Sequence, residues 1–544
     1  MTSPRDALFD ALEARTFDLA VIGGGITGAG VARDAAMRGL SVALIEARDF
    51  ASGTSSRSSK MIHGGLRYLA QGDLGLVREA ASERKIVERI APHLARQTPF
   101  VIPARSAGAI ARLRAGLWTF EKLGGAPKSR RHELWSVADL GSREPAIDVG
   151  GLAGAVVYPE YLTDDARLTL ANIRSAGAHG ALTLNYAGVE ALILEGGRCV
   201  GVEVADTLSG AGGRRARLSA RVVVNAAGPW VDEIRALEDA GAAPRLALAR
   251  GVHLVVHRER LPISRTIIMT AADRRGVFAV PKGPMSYIGT TDTFHPHAEA
   301  WPPITDEDVD YLLATAAARF STPALSRADV VSAWAGVRPL VAEAGKSPSD
   351  ISRRDELMTG AAGVLSIAGG KLTAYRRMAQ RVVDHVEDVL GRRREPCRTA
   401  DQPLPGGETA PASVQAQLTG RGMSQADADR LVGLYGAEAP VVGVGAAAEA
   451  AHAVTAEMAL TLEDYWARRS ARAWFDEAGG LAALAPAARA MAPLLGWSAA
   501  EEARQIAHCV AIHERDMAAI RSPLCAPSVT AQDGAAPPPP HRGG

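Results

Sequence analysis

Between Phe17 and Glu46 the chain reads FDLAVIGGGITGAGVARDAAMRGLSVALIE, and three of its glycines, Gly23, Gly25 and Gly28, stand in G-x-G-x-x-G spacing. An apolar run at 19–22 precedes them. A helical stretch containing the small Ala32 follows, and a second apolar run at 42–45 ends in Glu46. Strand, tight turn, helix, strand and acid form the pattern of a dinucleotide-binding βαβ unit. Gly23 permits the turn, Gly25 lets a pyrophosphate approach the backbone, and Gly28 lets the helix pack against the strand. The helix N-terminus offers N–H groups and a positive dipole end to phosphates. Glu46, roughly 20 residues beyond the glycines, is placed to accept from a ribose 2′-hydroxyl.

A chain of 544 residues has room for about three or four structural units. Its net charge of +1 gives no ground for a nucleic-acid partner. Cys199, Cys397, Cys509 and Cys525 lack C-x-x-C spacing, which argues against a disulfide framework or a zinc site and for a reducing, cytoplasmic setting. The N-terminal residues carry acids and no apolar core, unlike a secretory signal. No stretch approaches the roughly 18 uninterrupted apolar residues of a spanning helix. Composition does not separate a soluble protein from one attached to a membrane surface.

Beyond the fingerprint come a Ser/Gly-rich loop and a helical stretch at 76–90. Residues 155–187 read as strand, a helix opened by Thr163-Asp164-Asp165, and strand again. The apolar run RVVVN at 221–225 enters Ala226-Ala227-Gly228-Pro229-Trp230, as expected of a buried parallel strand returning to the nucleotide-binding sheet. From about 245 to 335, GVHLVVH, RTIIM, GVFAVPK and SYIGTTDT predict a second, antiparallel layer. A short strand at 364–367 meets Gly369-Gly370-Lys371 and a helix from Thr373, a second helix N-terminus able to face an anion. The Pro/Gly/Thr-rich stretch 399–412 reads as a linker, and strand signals vanish beyond it. A proline-rich tail from Ala526 is expected to stay disordered. The fold class is therefore α/β: a Rossmann-like nucleotide-binding part, an antiparallel β-rich part for the substrate, and a C-terminal all-helical part.

The loop Ser52-Gly53-Thr54-Ser55-Ser56-Arg57-Ser58-Ser59-Lys60 sets hydroxyls beside two cations and suits cofactor phosphates or a ring edge; a solvated loop is its plainer reading. Its continuation inserts His63, Arg67 and Tyr68 into the apolar, glycine-hinged segment Met61–Leu69. A guanidinium in such a segment needs an acid or a bound anion. Arg338, in WAGVRPL, and Lys371, at the G-G-K turn, add two more cations. Singly, each fits an internal salt bridge; converging, they would suit a phosphate dianion, with Arg supplying forked bonds and Lys a point charge. His253 alternates with apolar neighbours along GVHLVV. That fits a core histidine, and also a general base with an ordinary pKa near 6.5. Asp292, in GTTDT, fits either a partner for a cation or a turn cap.

The segments FASGTSSRSSKMIHGGLRYL, TDDARL, IGTTDT, WAGVRPL and GGKLTAYR, in this order, resemble the FAD-dependent glycerol-3-phosphate dehydrogenases of the aerobic, respiratory type. Through these, and through the glycine fingerprint and NAAGPW, which are shared more broadly, the chain resembles the wider D-amino-acid oxidase-like flavoenzymes. The resemblance spans about residues 15–475. EMALTLEDYWARRSARAWF is similar to the family's helical pattern, with Tyr465 and Trp466 in place of aliphatic residues. The resemblance implies a division into an oxidoreductase at 1–400, a linker at 399–412, a helical domain at 413–525 and the tail at 526–544. Within the first, the FAD-binding parts would be about 15–100, 155–240 and 355–395, and the substrate-binding part about 245–345. It implies non-covalent FAD along Gly23, Gly25, Ile26, Thr27, Gly28, Glu46 and Ala47. The ring would lie near Ser55, Ser56, Ser59, Lys60, His63, Gly64 and Gly65, with Ala227, Gly228, Gly370, Lys371, Leu372 and Thr373 completing the site.

The resemblance further implies sn-glycerol 3-phosphate as substrate, dihydroxyacetone phosphate as product and a membrane quinone as acceptor, within glycerol and glycerophospholipid metabolism. His63, Arg67, Tyr68, Arg338 and Lys371 would hold the substrate, and His253, with Arg338, would act at the reacting carbon. Peripheral contact with the inner face of the cytoplasmic membrane is compatible with it, as is a homodimer. The basic, Leu/Trp/Phe-bearing stretch 105–131 is the candidate lipid contact. Three other readings stay open: an oxidase delivering electrons to oxygen from glycerol 3-phosphate or an amino acid, an NAD(P) enzyme, and a non-enzymatic nucleotide-binding module. The set of cations suits a phosphate better than an amino acid.

Overall fold

The computed structural model describes residues 4–63, 74–124, 131–208, 212–343, 345–348, 351 and 354–522. The fingerprint strand Phe17–Ile22 is central to the first sheet. It pairs in parallel with Val42–Ile45 on one side and Arg215–Asn225 on the other, Val21 facing Leu44 and Val224. Leu365–Gly369 and Leu182–Leu184 extend the parallel set outward, and Asp355–Thr359 closes one edge antiparallel. Phe17–Ile22, Val42–Ile45 and residues 222–224 are apolar at nearly every position because both faces are covered there. Leu19, Val21, Leu44 and Val224 pack with residues of the helices Ile26–Met37 and Tyr375–Val389. Ala20, Ala43 and Val223 pack on the opposite face with Phe9 and Leu12. The return of RVVVN to this sheet and the strand before the G-G-K turn stand as expected.

The second sheet runs Thr293–Phe294, Leu246–His257, Met285–Gly289, Gly276–Lys282, Thr266–Thr270, Arg96–Ala104, Gly154–Leu162, Met61–Ile62. Val330–Val341 pairs with Leu246–His257 outside that path. All of its pairings are antiparallel except that of Thr266–Thr270 with Arg96–Ala104. The strands predicted between 245 and 335 are all present, but SYIGTTDT is not one strand: pairing stops at Gly289, and Thr290–Asp292 turn out of the ladder toward Arg338 before Thr293 resumes it.

Beyond Thr399 the described residues form helices and turns, with no strand among them. The stretch 399–410 carries no helix or strand yet is pinned: the fully buried Arg33 donates to the Thr399 and Gln402 carbonyls at 3.2 and 2.7 Å. Among the described residues one helical run, 477–495, is long and apolar enough to cross a membrane by length and composition, contrary to the expectation from the sequence. Ala478, Gly479 and Gly480 hold left-handed φ of 46–65°, so the run breaks into a tight turn and the helix Leu484–Leu495. That helix buries Leu484, Ala487, Ala488 and Met491 in a cluster with Trp466 and Trp474. The expected disordered tail lies outside the described residues.

Candidate active site

The glycine turn is built as the spacing requires. Gly23 has φ +109°, and a Cβ there would meet the Ala226 carbonyl oxygen at 2.5 Å; one at Gly28 would lie 2.0 Å from the Gly23 carbonyl oxygen. Gly25 is the N-cap of Ile26–Met37 and offers no side-chain cap. A Cβ on it would meet only Ser55 Oγ, at 3.1 Å, so the approach to the first helical turn stays open to a phosphate. Ser55 Oγ accepts from the Ile26 N–H at 2.9 Å, drawing the serine-rich loop onto the helix N-terminus beside Thr27. Glu46 ends its strand with one oxygen accepting from Gly24 N–H at 2.7 Å and the other from Arg48 N–H at 2.8 Å. Each oxygen retains a second lone pair for a hydroxyl. Burial raises the Glu46 pKa, with those N–H donors opposing. Ala47 is exposed beside it. Across the sheet, Asn225 Oδ1 accepts from Ala227 N–H at 3.2 Å, and Gly228 sits at φ +58° with open space where a Cβ would stand. The donor set and the cradle fit a dinucleotide.

The serine-rich loop then crosses the second sheet. Thr54 Oγ1 donates to the Val337 carbonyl at 2.5 Å, Trp334 Nε1 donates to the Ser58 carbonyl at 3.3 Å, and Tyr287 OH donates to the Ser59 carbonyl at 3.0 Å. Its two cations turn inward. Lys60 Nζ is buried on Asp165 at 2.6 Å and the Ser56 carbonyl at 3.0 Å, so its charge serves the helix Asp165–Ala178. Arg57 lies over the Trp301 ring. The phosphate role considered for this pair is not what the geometry gives; of the loop hydroxyls, Ser55 Oγ meets the helix N-terminus, while Ser58 Oγ donates to Asp165 Oδ2 at 2.7 Å. In the sequence Asp165 reads only as part of the helix opening Thr163-Asp164-Asp165, not as the partner of Lys60.

His253 and Arg338 stand on neighbouring antiparallel strands, Leu246–His257 and Val330–Val341. The His253 ring is 1% exposed. It stacks on Trp334 at 4.6 Å with a 10° interplanar angle, and its Nε2 shares a 2.9 Å hydrogen bond with Ser59 Oγ. Glycine makes its room: a Cβ on Gly289, the residue opposite, would lie 2.1 Å from the imidazole. Burial, reinforced by the charges of Arg338 and Lys60, holds the His253 pKa well below its ordinary value, so the ring is neutral. Arg338 is half-buried. Its Nη1 donates to the Thr291 carbonyl and Asp292 Oδ1 at 3.3 and 3.1 Å, and its Nη2 to Thr290 Oγ1 at 2.8 Å. A Cβ on Gly251 would lie 2.1 Å from that guanidinium. Asp292 thus fixes a cation, one of its two sequence readings. Thr290 and Thr291 are further partners, and they show in the sequence only as polar residues interrupting a strand.

The G-G-K turn closes on the same region. Gly369 and Gly370 have φ +72° and +82°. Lys371 caps the turn Leu372–Ala374, which leads into Tyr375–Val389. Thr373 Oγ1 accepts from His63 N–H at 3.1 Å and donates to the His63 carbonyl at 3.2 Å, joining the end of the serine-rich loop to this turn. Gly64, Gly65, Arg67 and Tyr68 lie outside the described residues.

The FAD dependent oxidoreductase family (DAO) matches residues 18–376, and the C-terminal domain of alpha-glycerophosphate oxidase matches 444–502. The chain is 38% identical over 502 residues to the aerobic glycerol-3-phosphate dehydrogenase of Bacillus subtilis, covering 87% of this chain and 90% of that one. It is 37% identical over 505 residues, with the same coverage, to the Staphylococcus aureus (strain USA300) protein of that name. It superposes on the FAD complex of the Bacillus halodurans glycerol-3-phosphate dehydrogenase with a TM-score of 0.78 and 33% identity, covering 95% of this chain and 99% of that one. The fold alone is shared with the FAD-bound L-alpha-glycerophosphate oxidase of Mycoplasma pneumoniae, at a TM-score of 0.56 and 17% identity over 72% of this chain and 99% of that one. The chain is therefore an FAD-dependent oxidoreductase and belongs to the aerobic glycerol-3-phosphate dehydrogenase family.

Proposed function

We propose that this protein oxidises sn-glycerol 3-phosphate to dihydroxyacetone phosphate and passes the electrons to a membrane quinone. The observation that carries the reading is a buried imidazole kept neutral beside a guanidinium fixed by Asp292 and Thr290. A base and an anion binder then face one substrate. FAD, when bound, accepts the hydride from C2 of the alcohol. The glycine turn and Glu46 hold the pyrophosphate and ribose, and the backbone of the 55–60 loop carries the ring edge. Arg338, Lys371, Arg67 and Tyr68 grip the phosphate and orient the C2 hydrogen, so that binding energy remote from the reacting carbon sets its geometry. His253, in its neutral form, accepts the hydroxyl proton. Ser59 Oγ and the Trp334 face fix the plane of its ring. The Arg338 charge beside it stabilises developing alkoxide.

A quinone acceptor requires a bilayer surface. The helix Ala107–Gly124 turns Leu117 and Phe120 inward, while Trp118, 57% exposed, and Arg112, Arg114 and Lys122 face solvent. No acid occurs from 105 to 120. This face suits an anionic lipid surface on the cytoplasmic side. The protein is expected to co-sediment with anionic vesicles and not with zwitterionic ones, and Trp118→Ala to lower that binding; equal partition into both would dismiss this helix as the contact.

The test of the reaction is anaerobic mixing with sn-glycerol 3-phosphate while flavin absorbance is followed. Bleaching by this compound, and not by glycerol or D-amino acids, is the expected result; a flavin that stays oxidised would sink the substrate assignment. Quinone or oxygen added to the bleached enzyme then decides the acceptor.

A further inference from the structure

Arg57 has no part in the reaction proposed above, yet it is among the most costly side chains in the molecule to bury. It is 3% exposed. Its Cζ lies 3.4 Å from the Trp301 ring centre and 5.6 Å from that of Trp474. Its Nε reaches the Ser52 carbonyl at 3.5 Å, but Nη1 and Nη2 have no hydrogen-bond partner among the described residues. Neither has the indole Nε1 of Trp474, itself 2% exposed. Three buried donor nitrogens thus share one aromatic pocket between the serine-rich loop and the C-terminal helices.

Most of the acids nearby are committed to other donors, and Asp516 engages only its Oδ1. Glu463 accepts from Trp301 Nε1 at 3.2 Å and Arg468 Nη1 at 2.6 Å, and pairs with His508 at 3.1 Å. Asp49 and Asp464 take up the guanidinium groups of Arg468 and Arg469. Asp516 accepts from its neighbour Arg515 at 3.2 Å. Burial draws the Arg57 pKa down to about 9, with Asp516 and Glu463 only partly opposing it. A desolvated guanidinium left without acceptors is strongly unfavourable.

We propose that this pocket binds a small monovalent anion of the halide class, which accepts from Arg57 Nη1 and Nη2 and from Trp474 Nε1. Donor count and space set the class: three buried N–H groups meeting in one aromatic pocket suit a single small acceptor. The donor chemistry fits too: a halide accepts from any direction and carries no proton of its own to satisfy. The occupant links loop and helices close to the candidate base, because Trp474 packs on Trp334 at 6.0 Å, and Trp334 is the ring on which His253 stacks.

The test uses the FAD-loaded protein crystallised in sodium bromide. An anomalous peak within hydrogen-bonding reach of the Arg57 Nη atoms and Trp474 Nε1 is expected, absent from Arg57→Gln. A water there, or the Asp516 carboxylate swung onto Arg57, overturns the proposal. In solution, replacing gluconate by bromide at constant ionic strength should raise the melting temperature saturably in the wild type, and less or not at all in Trp474→Phe. That variant keeps the aromatic wall and removes only the N–H, so it carries the comparison should Arg57→Gln fail to fold. Equal bromide responses in wild type and variant, or a crystal peak with no saturable response in solution, also overturn it.

Discussion

Arg338 and His253 owe their positions to glycines as much as to their own chemistry. Gly251 leaves room for the guanidinium and Gly289 for the imidazole, so any Cβ at either position collides with a group proposed to touch substrate. Arg338→Ala is expected to lower kcat/KM by about a hundredfold or more while the protein still purifies yellow; normal kinetics would remove Arg338 from the substrate site. Gly28→Ala acts on the other ligand. Its Cβ would sit 2.0 Å from the Gly23 carbonyl oxygen, so the helix must move off the phosphate turn, and the variant should purify with most of its flavin missing. Full flavin content, read from the visible-to-protein absorbance ratio, would show that the turn absorbs the methyl group. The glycine spacing made the second effect legible in the sequence. The first was not, because Gly251 and Gly289 lie far apart in the chain from the side chains they accommodate.

Elements are joined by buried charge. Asp49, at the end of the fingerprint unit, accepts from Arg468 Nε at 2.5 Å and from both terminal nitrogens of Arg469, all three side chains being fully or almost fully buried. The π-helical turn Asp464–Arg469 is thereby docked onto the nucleotide-binding sheet. Asp49→Asn removes the charge shared by two desolvated guanidinium groups and should cost about 3–5 kcal/mol. The checks are a lowered unfolding midpoint and faster proteolysis after residue 400; an unchanged midpoint would mean that Asp464 and Glu463 suffice. The segment EMALTLEDYWARRSARAWF resembles the family's helical pattern, and nothing in it points to an acid more than 400 residues earlier.

At the scale of the whole molecule, buried histidines couple stability to pH. His93, 2% exposed, packs against Gly406 and Gly436, where the helix Leu74–Ile90 runs on toward the stretch after Thr399. Burial, with the charge of Arg167, lowers its pKa to about 3. The unfolded chain binds a proton near pH 6.5 and the folded one does not, so stability present above that pH is lost as pH falls. From about pH 7.5 to pH 5 the loss from His93 alone is about 2 kcal/mol. His508, raised chiefly by its hydrogen bond to Glu463, works in the opposite sense. The fall in melting temperature over this range should be smaller in His93→Gln than in the wild type, and equal falls would assign the pH dependence to other groups.

What the sequence determined by itself was local or periodic. The 42–45 strand, the turn glycines and the terminal acid follow from spacing, and the apolar runs follow from burial on both faces of a parallel sheet. The motif order likewise sufficed for the cofactor and the family. The tertiary structure decided which partners each cation meets inside the protein. Lys60 and Arg57, adjacent to the cofactor loop in sequence, turn inward to Asp165 and the Trp301 ring, whereas Arg338 and His253 are brought together by strand register. A charge is paired by whatever the fold places within a few ångströms of it, and that placement depends on contacts between residues hundreds of positions apart.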